Sequence, residues 1–439
     1  MAILSKEEAK QIIDKVLAFS KAEETSVGIS GDRKGNIRYA RNSVSTSGET
    51  NDLSLSVTTD FGKKSGTSTI NEFDDASLEK AVRRAEEIAR LAPENPEHMP
   101  LLGPQKYLET KGFLESTAAI NPDYRAEAAF GSIDPCAKKN LTAAGFMEDR
   151  SGFTALGNSK GLFGYSKSTS VNFSVTVRTT DGTGSGYVAR DYNDASKLNT
   201  QTATEIAMQK AMASVNAKAL EPGKYTVILE PVATHDLVMN MIRNMDARSA
   251  DEGRSFLGKK GGETRLGEKL FDERVNIISD PMNVEIPGSP FGGGDGRPQE
   301  KVTWVENGVV KNMYYSRYWA DKKGVKAISP PGGIIFQGGT ESIADLIKGT
   351  EKGILVTRFW YIRTVDPQTL LYTGLTRDGT FYIENGQIKY PVKNFRFNES
   401  PVIMLNNLEA MGKPVRTSGS LIPPLKIRDF TFTSLSDAV

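Results

Sequence analysis

The spacing of apolar residues changes period repeatedly along this chain, and each change marks an element. Ala9, Ile12, Ile13, Val16 and Leu17 recur at helical spacing behind a Ser5…Glu8 capping-box pattern, so a helix opens the sequence. Short strands are expected near 27–30 and 37–41. Residues 53–58 (Leu-Ser-Leu-Ser-Val-Thr) alternate with period two, as in a half-buried strand. The turn Asp60-Phe61-Gly62-Lys63 leads to another strand at 65–70. Asp75 is then expected to cap a helix whose inner face is Leu78, Ala81, Val82, Ala85 and Ala89, with Pro93 and Pro96 ending it.

Much of this plan returns about 120 residues later. A helix is expected over 124–139, and 171–177 alternates as 53–59 does. Thr179-Thr180-Asp181 echoes Thr58-Thr59-Asp60, and Asp194-Ala195-Ser196 echoes Asp75-Ala76-Ser77 ahead of a helix at 202–215. The shared unit of strand, turn, strand and helix reads either as an internal duplication or as two halves of one sheet layer.

Glu221-Pro222-Gly223-Lys224 breaks the chain, and a different pattern begins. It contains a helix at 234–244, a shorter one at 340–348 and many short strands. Asn307-Gly308 and Asn385-Gly386 each sit between alternating apolar residues, the strongest short-range hairpin signal. The expected fold is therefore α+β: an N-terminal α/β sandwich-like region over 1–220, with units of about 1–105 and 106–220, and a C-terminal β-rich region over 221–439 with antiparallel strands and few helices.

Composition narrows the chemistry. The chain has 439 residues, 38% hydrophobic and 25% charged, which suits a soluble globular protein of two or three domains. Its 55 basic and 54 acidic residues leave a net charge of +1 and no electrostatic case for direct nucleic-acid binding. No apolar run approaches the roughly 18 residues of a membrane span, and Met1-Ala2-Ile3-Leu4 leads straight into charge without a secretory pattern, so a cytoplasmic protein is expected. One cysteine, Cys136, excludes an internal disulfide and reads as a small buried apolar residue. The two histidines, His98 and His235, are too few and too far apart for an ordinary mononuclear zinc site, so no metal or other cofactor is expected.

Candidate chemistry is thin. His235 and Asp236 stand near the start of an apolar helix. A catalytic zinc helix would carry two histidines about one turn apart with a glutamate as base. Counting from His235, the acid position holds Asp236 and the second ligand position holds Asn240, a poor zinc ligand. An exposed histidine in a first helical turn is the plainer reading. Asp246, Asp251 and Glu252 are close enough in sequence for a hard cation, but Arg248 and Arg254 make ion pairing the easier explanation. The glycine-rich stretches 258–262 and 292–298 lack a phosphate-loop context and read as loops, either of which suits a lid over a groove. Trp304, Tyr314, Tyr315, Tyr318, Trp319, Phe359, Trp360 and Tyr361 are expected in core, interface or a sheet edge that pairs with an extended peptide.

In combination and order, several segments resemble the TldD/PmbA family, described as modulators of DNA gyrase and as metallopeptidases. They are Val227-Ile228-Leu229-Glu230-Pro231, the run 251–258, Gly267-Glu268, Glu306-Asn307-Gly308, Phe336-Gln337-Gly338-Gly339, Trp360-Tyr361-Ile362-Arg363, the run 378–386, Pro391-Val392-Lys393, and the ending 422–430. The resemblance covers essentially the whole chain. It implies two branches: one with a His-Glu-x-x-x-His helix and a later zinc-binding cysteine, and a PmbA-like (TldE-like) branch without them. Here the corresponding helix offers His235, Asp236 and Asn240, and no cysteine follows.

The resemblance therefore implies a degenerate zinc helix and no transferable catalytic residue. It further implies a dimer, of two copies or with a TldD-like zinc metallopeptidase, acting on extended or unfolded peptides in peptide maturation or antitoxin degradation. Two alternatives stay open: a hydrolase in its own right, using His235 with Asp236 or the carboxylates 246, 251 and 252, and a non-enzymatic regulator of gyrase or of toxin–antitoxin systems.

Overall fold

The computed structural model describes residues 3–292 and 294–436. Helix α1 (Lys6–Phe19) starts at the expected capping box, with Ser5 Oγ accepting from Glu8 N and the Glu8 carboxylate accepting from Ser5 N. The burial of Ala9, Ile13 and Val16 fixes its inner face. Three antiparallel strands follow: β1 (Glu24–Ala40), β2 (Ser43–Phe61) and β3 (Lys64–Ile70). The two short strands expected at 27–30 and 37–41 are one long strand. The first ten residues of β2, Ser43–Asp52, are exposed on both faces, so they carry no alternation to read.

Helix α2 (Asp75–Leu91) is capped by Asp74, whose carboxylate accepts from Ser77 N, and not by Asp75, which is its first helical residue. After a connector and the short turn α3 (Glu115–Ala118) the plan repeats. Helix α4 (Pro122–Lys138) precedes β4 (Leu141–Asn158), β5 (Phe163–Thr179), β6 (Ser185–Tyr192) and helix α5 (Thr200–Ala213). The echo of Asp75 at Asp194 is only partial. Asp194 caps only a single 3-10 turn, Ala195–Lys197, while Asn199 accepts from Thr202 N to start α5.

The two units share one six-stranded sheet in the order β3-β2-β1-β4-β5-β6, so they meet at β1 and β4 as halves of a single layer. Two cores lie beneath the helices. One holds Ile13, Val16, Ile29, Leu55, Val57 and Val82; the other holds Ala129, Cys136, Met147, Phe173, Val175 and Ala207. Burial pushes the Cys136 thiol up to about 11, as befits an inert core residue. Each half uses a glycine at the same place. A Cβ on Gly66 of β3 would lie 2.2 Å from the Ala85 carbonyl oxygen in α2, and one on Gly186 of β6 would lie 2.1 Å from the Ala207 carbonyl oxygen in α5. Backbone touches backbone at both, so no larger residue fits.

The C-terminal region is built on strand β7 (Gly223–Leu229), which leads directly into helix α6 (Pro231–Arg243). β7 pairs in parallel with Lys352–Asp366 and antiparallel with Leu425–Leu435. The ladder continues through Phe395–Glu399 and Leu371–Glu384, and the latter pairs back to Lys352–Asp366, closing a barrel. Phe359, Phe395, Phe397, Phe430 and Phe432 fill its interior, with the Phe395 and Phe432 rings stacked at 4.6 Å between centroids. A second six-stranded sheet of short strands flanks the barrel and shares its core through Trp304, Ile277 and Phe336. Both Asn-Gly turns form as expected, with φ of 50° and 75° at Asn307 and Gly308, and 50° and 73° at Asn385 and Gly386. The mixed α+β architecture is as expected from the pattern.

Gly66→Ala or Gly186→Ala is expected to push its helix off the sheet edge and lower unfolding free energy by about 1–3 kcal/mol. Urea denaturation of each variant beside an alanine substitution at open Gly28 checks this, since a Cβ at Gly28 meets nothing within 4 Å.

Candidate functional site

β6 is the last strand of the N-terminal sheet, so one edge of it has no strand partner in that sheet. This edge meets the C-terminal region where Ser185 donates to Asp378 and where Asp191 accepts from Arg416 Nε and Gly419 N, and a cleft of about 1030 Å³ lies beside it. One wall is Tyr187, Ala189 and Arg190 of β6, with Ile206 and Lys210 of α5. The opposite wall is Glu230, Pro231 and Val232 at the start of α6, together with Thr357, Ile343 and the segment 413–417. The apolar floor and scattered polar rim are those of a ligand or peptide groove.

Arg416 Nε of the 413–417 segment donates to Asp191 of β6 at 2.9 Å, and two further charged contacts hold the cleft walls at their spacing. Lys210 Nζ of α5 donates to Glu230 of the β7–α6 junction at 2.6 Å, and both side chains are largely buried. Glu230 N in turn donates to the Val356 carbonyl at 3.0 Å, which fixes the junction to the barrel. At the other contact Asp378, buried, accepts from Arg358 Nε at 2.6 Å and from the Ser185 hydroxyl at the start of β6. The Arg358 guanidinium lies 3.8 Å from the Tyr187 ring centroid and 5.3 Å from that of Trp360, so it is clamped between the N-terminal sheet and the barrel. Burial raises the Tyr187 hydroxyl pKa, while the neighbouring Arg358 charge pulls the other way. Asp378 and Gly379 have φ of 54° and 122°, so a strained backbone presents this carboxylate to the seam.

Helix α6 begins at the cleft wall because Pro231 opens it and Leu237, Val238, Met241 and Ile242 bury its apolar face in the barrel core. The three residues at the zinc-helix positions are arranged as follows. His235 Nδ1 lies 3.7 Å from Asp236 Oδ1, and the His235 side chain is only 12% exposed, not the open first-turn histidine expected from sequence. The Asn240 amide is spent on its own helix, donating to the Asp236 carbonyl at 2.8 Å. One imidazole, one short carboxylate and an engaged amide do not make the donor set of a hydrolytic zinc ion. Among the described residues the single group of three or more His, Cys, Asp or Glu donors close enough to share an ion is Glu24, Asp60 and His98, which is remote from α6 in the chain.

The other candidates resolve as structural. Asp246 caps a short helix by accepting from Ser249 N at 2.8 Å. Asp251 accepts from Trp319 Nε1 at 2.7 Å and pairs with Lys323 at 2.8 Å, and Glu252 pairs with Arg248 at 3.0 Å and with Arg254. Of the three, Glu252 makes the pairs with Arg248 and Arg254 that the sequence suggests, whereas Asp251 is taken by Lys323 and Asp246 by a helix start. The 292–298 loop is held by Asp295 pairing with Arg297 at 3.1 Å, and Gly293 within it lies outside the described residues. Trp304, Trp319 and Phe359 are buried, whereas Trp360 and Tyr361 are 45% and 62% exposed. Sequence reasoning missed Lys210, Arg358 and Tyr187, because their partners lie far away in the chain and no local motif marks them.

Comparison with known proteins covers the chain nearly end to end. Residues 26–89 match the PmbA/TldA metallopeptidase domain 1, residues 114–215 the central domain, and residues 222–434 the C-terminal domain of the same family. A metalloprotease PmbA homolog from Haemophilus influenzae is 23% identical over 86% of this chain and 86% of its own. TldE from Thermococcus kodakarensis has a TM-score of 0.87 at 17% identity, covering 96% of this chain and 99% of that one. A Thermotoga maritima protein whose name proposes that it modulates a DNA gyrase has a TM-score of 0.87 at 19% identity, over 98% and 100%. The two structural likenesses establish a shared fold.

Arg358→Ala leaves buried Asp378 with the Ser185 hydroxyl and with Arg377 at 3.9 Å, and without its direct guanidinium partner. It is expected to cost about 3–5 kcal/mol of stability, read by chemical denaturation, and to raise hydrogen exchange across β6 more than across β1.

Proposed function

Because the chain belongs to the PmbA/TldD metallopeptidase family, we propose that it serves as a non-catalytic partner subunit in the proteolysis of extended peptides, working beside a TldD-like zinc metallopeptidase in the cytoplasm. The observation that carries this reading is the state of α6. The helix keeps its place at the cleft wall, yet its polar residues are His235, Asp236 and an Asn240 already bonded to the Asp236 carbonyl. Hydrolysis at neutral pH by the family's route needs a metal to lower the pKa of a bound water and a carboxylate to take its proton. The residues on α6 do not fit that ion, so no catalytic step is assigned to this chain.

What the chain retains is a place for substrate. An extended peptide satisfies its backbone polar groups by adding to a sheet edge, and its alternate side chains then enter pockets beside that edge. The free edge of β6 and the apolar floor beneath it suit such a segment. A folded domain does not enter a groove of this size, which favours unfolded or loosely structured substrates. The family's dimer accommodates either two copies of this chain or one copy with an active partner, and the missing donor set favours the second arrangement. The helices supply no membrane-spanning segment among the described residues.

Mixed with a TldD-like zinc metallopeptidase, the purified chain is expected to co-elute as a stoichiometric complex that cleaves an unstructured peptide, whereas the chain alone leaves that peptide intact. Cleavage by the chain alone that disappears in His235→Ala would instead establish the self-sufficient hydrolase.

A further inference from the structure

The charges at one end of the β1–β2 ladder are arranged against the ordinary rule for strand pairs. Glu24 of β1 and Asp60 of β2 sit directly opposite one another. Their side chains therefore emerge on the same face, and like charges in that position repel. Asp60 is only 5% exposed, and its one hydrogen-bond partner is the Ser65 hydroxyl; among the described residues no lysine or arginine pairs with it. Lys160 reaches Glu24 at 3.2 Å, but its side chain is 48% exposed and it neutralises one of two carboxylates. A net negative charge thus remains beside a buried carboxylate, a situation that calls for a positive partner.

A third donor arrives from a distant part of the chain. The connector after α2 is tied to the β2–β3 turn by Asn95 N donating to the Lys63 carbonyl at 2.9 Å and to Glu24 by Leu101 N at 2.9 Å. Between these two anchors stands His98, half-buried. One ligand atom each from Glu24, Asp60 and His98 lies within 4.8 Å of the others. His98 makes no direct ion pair with either acid, so its ring nitrogen sits near both carboxylates without being spent on them. Bonds of about 2.0–2.2 Å to a shared zinc ion would place such ligands roughly 3.5–4 Å apart, a small contraction of the observed spacing.

We infer that Glu24, Asp60 and His98 form a binding site for a divalent transition-metal cation, with zinc as the best fit to one imidazole and two carboxylates. The site is structural in character. It lies on the sheet face opposite the buried Val27, Ile29, Leu55 and Val57, and it clamps the connector to the sheet. That connector also reaches the C-terminal region, where Glu97 pairs with Arg248 at 2.9 Å and the Pro100 carbonyl accepts from Arg317 at 2.6 Å. A bound cation therefore stiffens the strap between the two regions without approaching α6. This inference does not rest on the proteolytic reading, since its readout is metal binding and not cleavage.

The test is calorimetric titration of the chelator-stripped full chain with zinc chloride, with magnesium chloride as the hard-cation control, alongside thermal melts. One zinc per chain is expected, with a higher melting temperature and at least tenfold preference over magnesium. His98→Ala and Asp60→Asn should each weaken zinc binding at least tenfold, and His235→Ala should leave it unchanged. Lys160→Ala removes the group that competes for Glu24 and should tighten binding severalfold, an effect that a merely structural role for these residues does not produce. His98 sits on a connector and outside the cores, so its variant keeps the fold, and circular dichroism confirms that. Absence of saturable zinc binding, or binding that survives His98→Ala undiminished, overturns the inference.

Discussion

The seam between the N-terminal sheet and the barrel is held by buried charge, and the rest of the molecule's plan depends on that choice. Lys210 with Glu230, Arg358 with Asp378 and Ser185, and Arg416 with Asp191 join the two regions across the seam. A buried pair is directional and fixes a distance, whereas apolar contact is neither. Together with Arg416 on Asp191, these pairs fix β6 to the C-terminal region and border a cleft whose lining is largely apolar. The Arg358 guanidinium between Tyr187 and Trp360 extends this joint to the exposed aromatic end of the barrel hairpin.

Against this frame, the state of α6 becomes informative. Its apolar face is fully committed to the barrel core, and Pro231 and Glu230 set its start at the cleft wall. Position is therefore conserved in the physical sense that the scaffold still delivers this helix to the cleft. Chemistry at that position is a separate matter. It depends on His235, Asp236 and Asn240, which lie outside the apolar face that anchors the helix. The Asn240 amide donates to the Asp236 carbonyl one turn back, a local side-chain-to-backbone bond that Asn readily makes on a helix.

Much of the architecture was legible in sequence where a local rule sufficed. The Ser5…Glu8 box, the two Asn-Gly turns and the echo between the regions around Asp60 and Asp181 each encode geometry within a few residues. Errors arose where two neighbours competed for one role. Asp74 displaced Asp75 as cap, since either residue has the right chemistry and only the chain's entry direction decides. The first half of β2 was illegible because a ribbon exposed on both faces has no period to detect. The family resemblance located the candidate helix. The cleft itself was hidden, since Tyr187, Lys210, Glu230 and Arg358 come together only through tertiary contacts.

The most direct measurement is hydrolysis of a fluorogenic unstructured peptide by the pure chain, by a TldD-like zinc metallopeptidase and by their mixture, each with and without chelator. The account predicts no turnover by the chain alone and chelator-sensitive turnover by the complex. Turnover by the chain alone, lost when His235 is replaced by alanine, would contradict it.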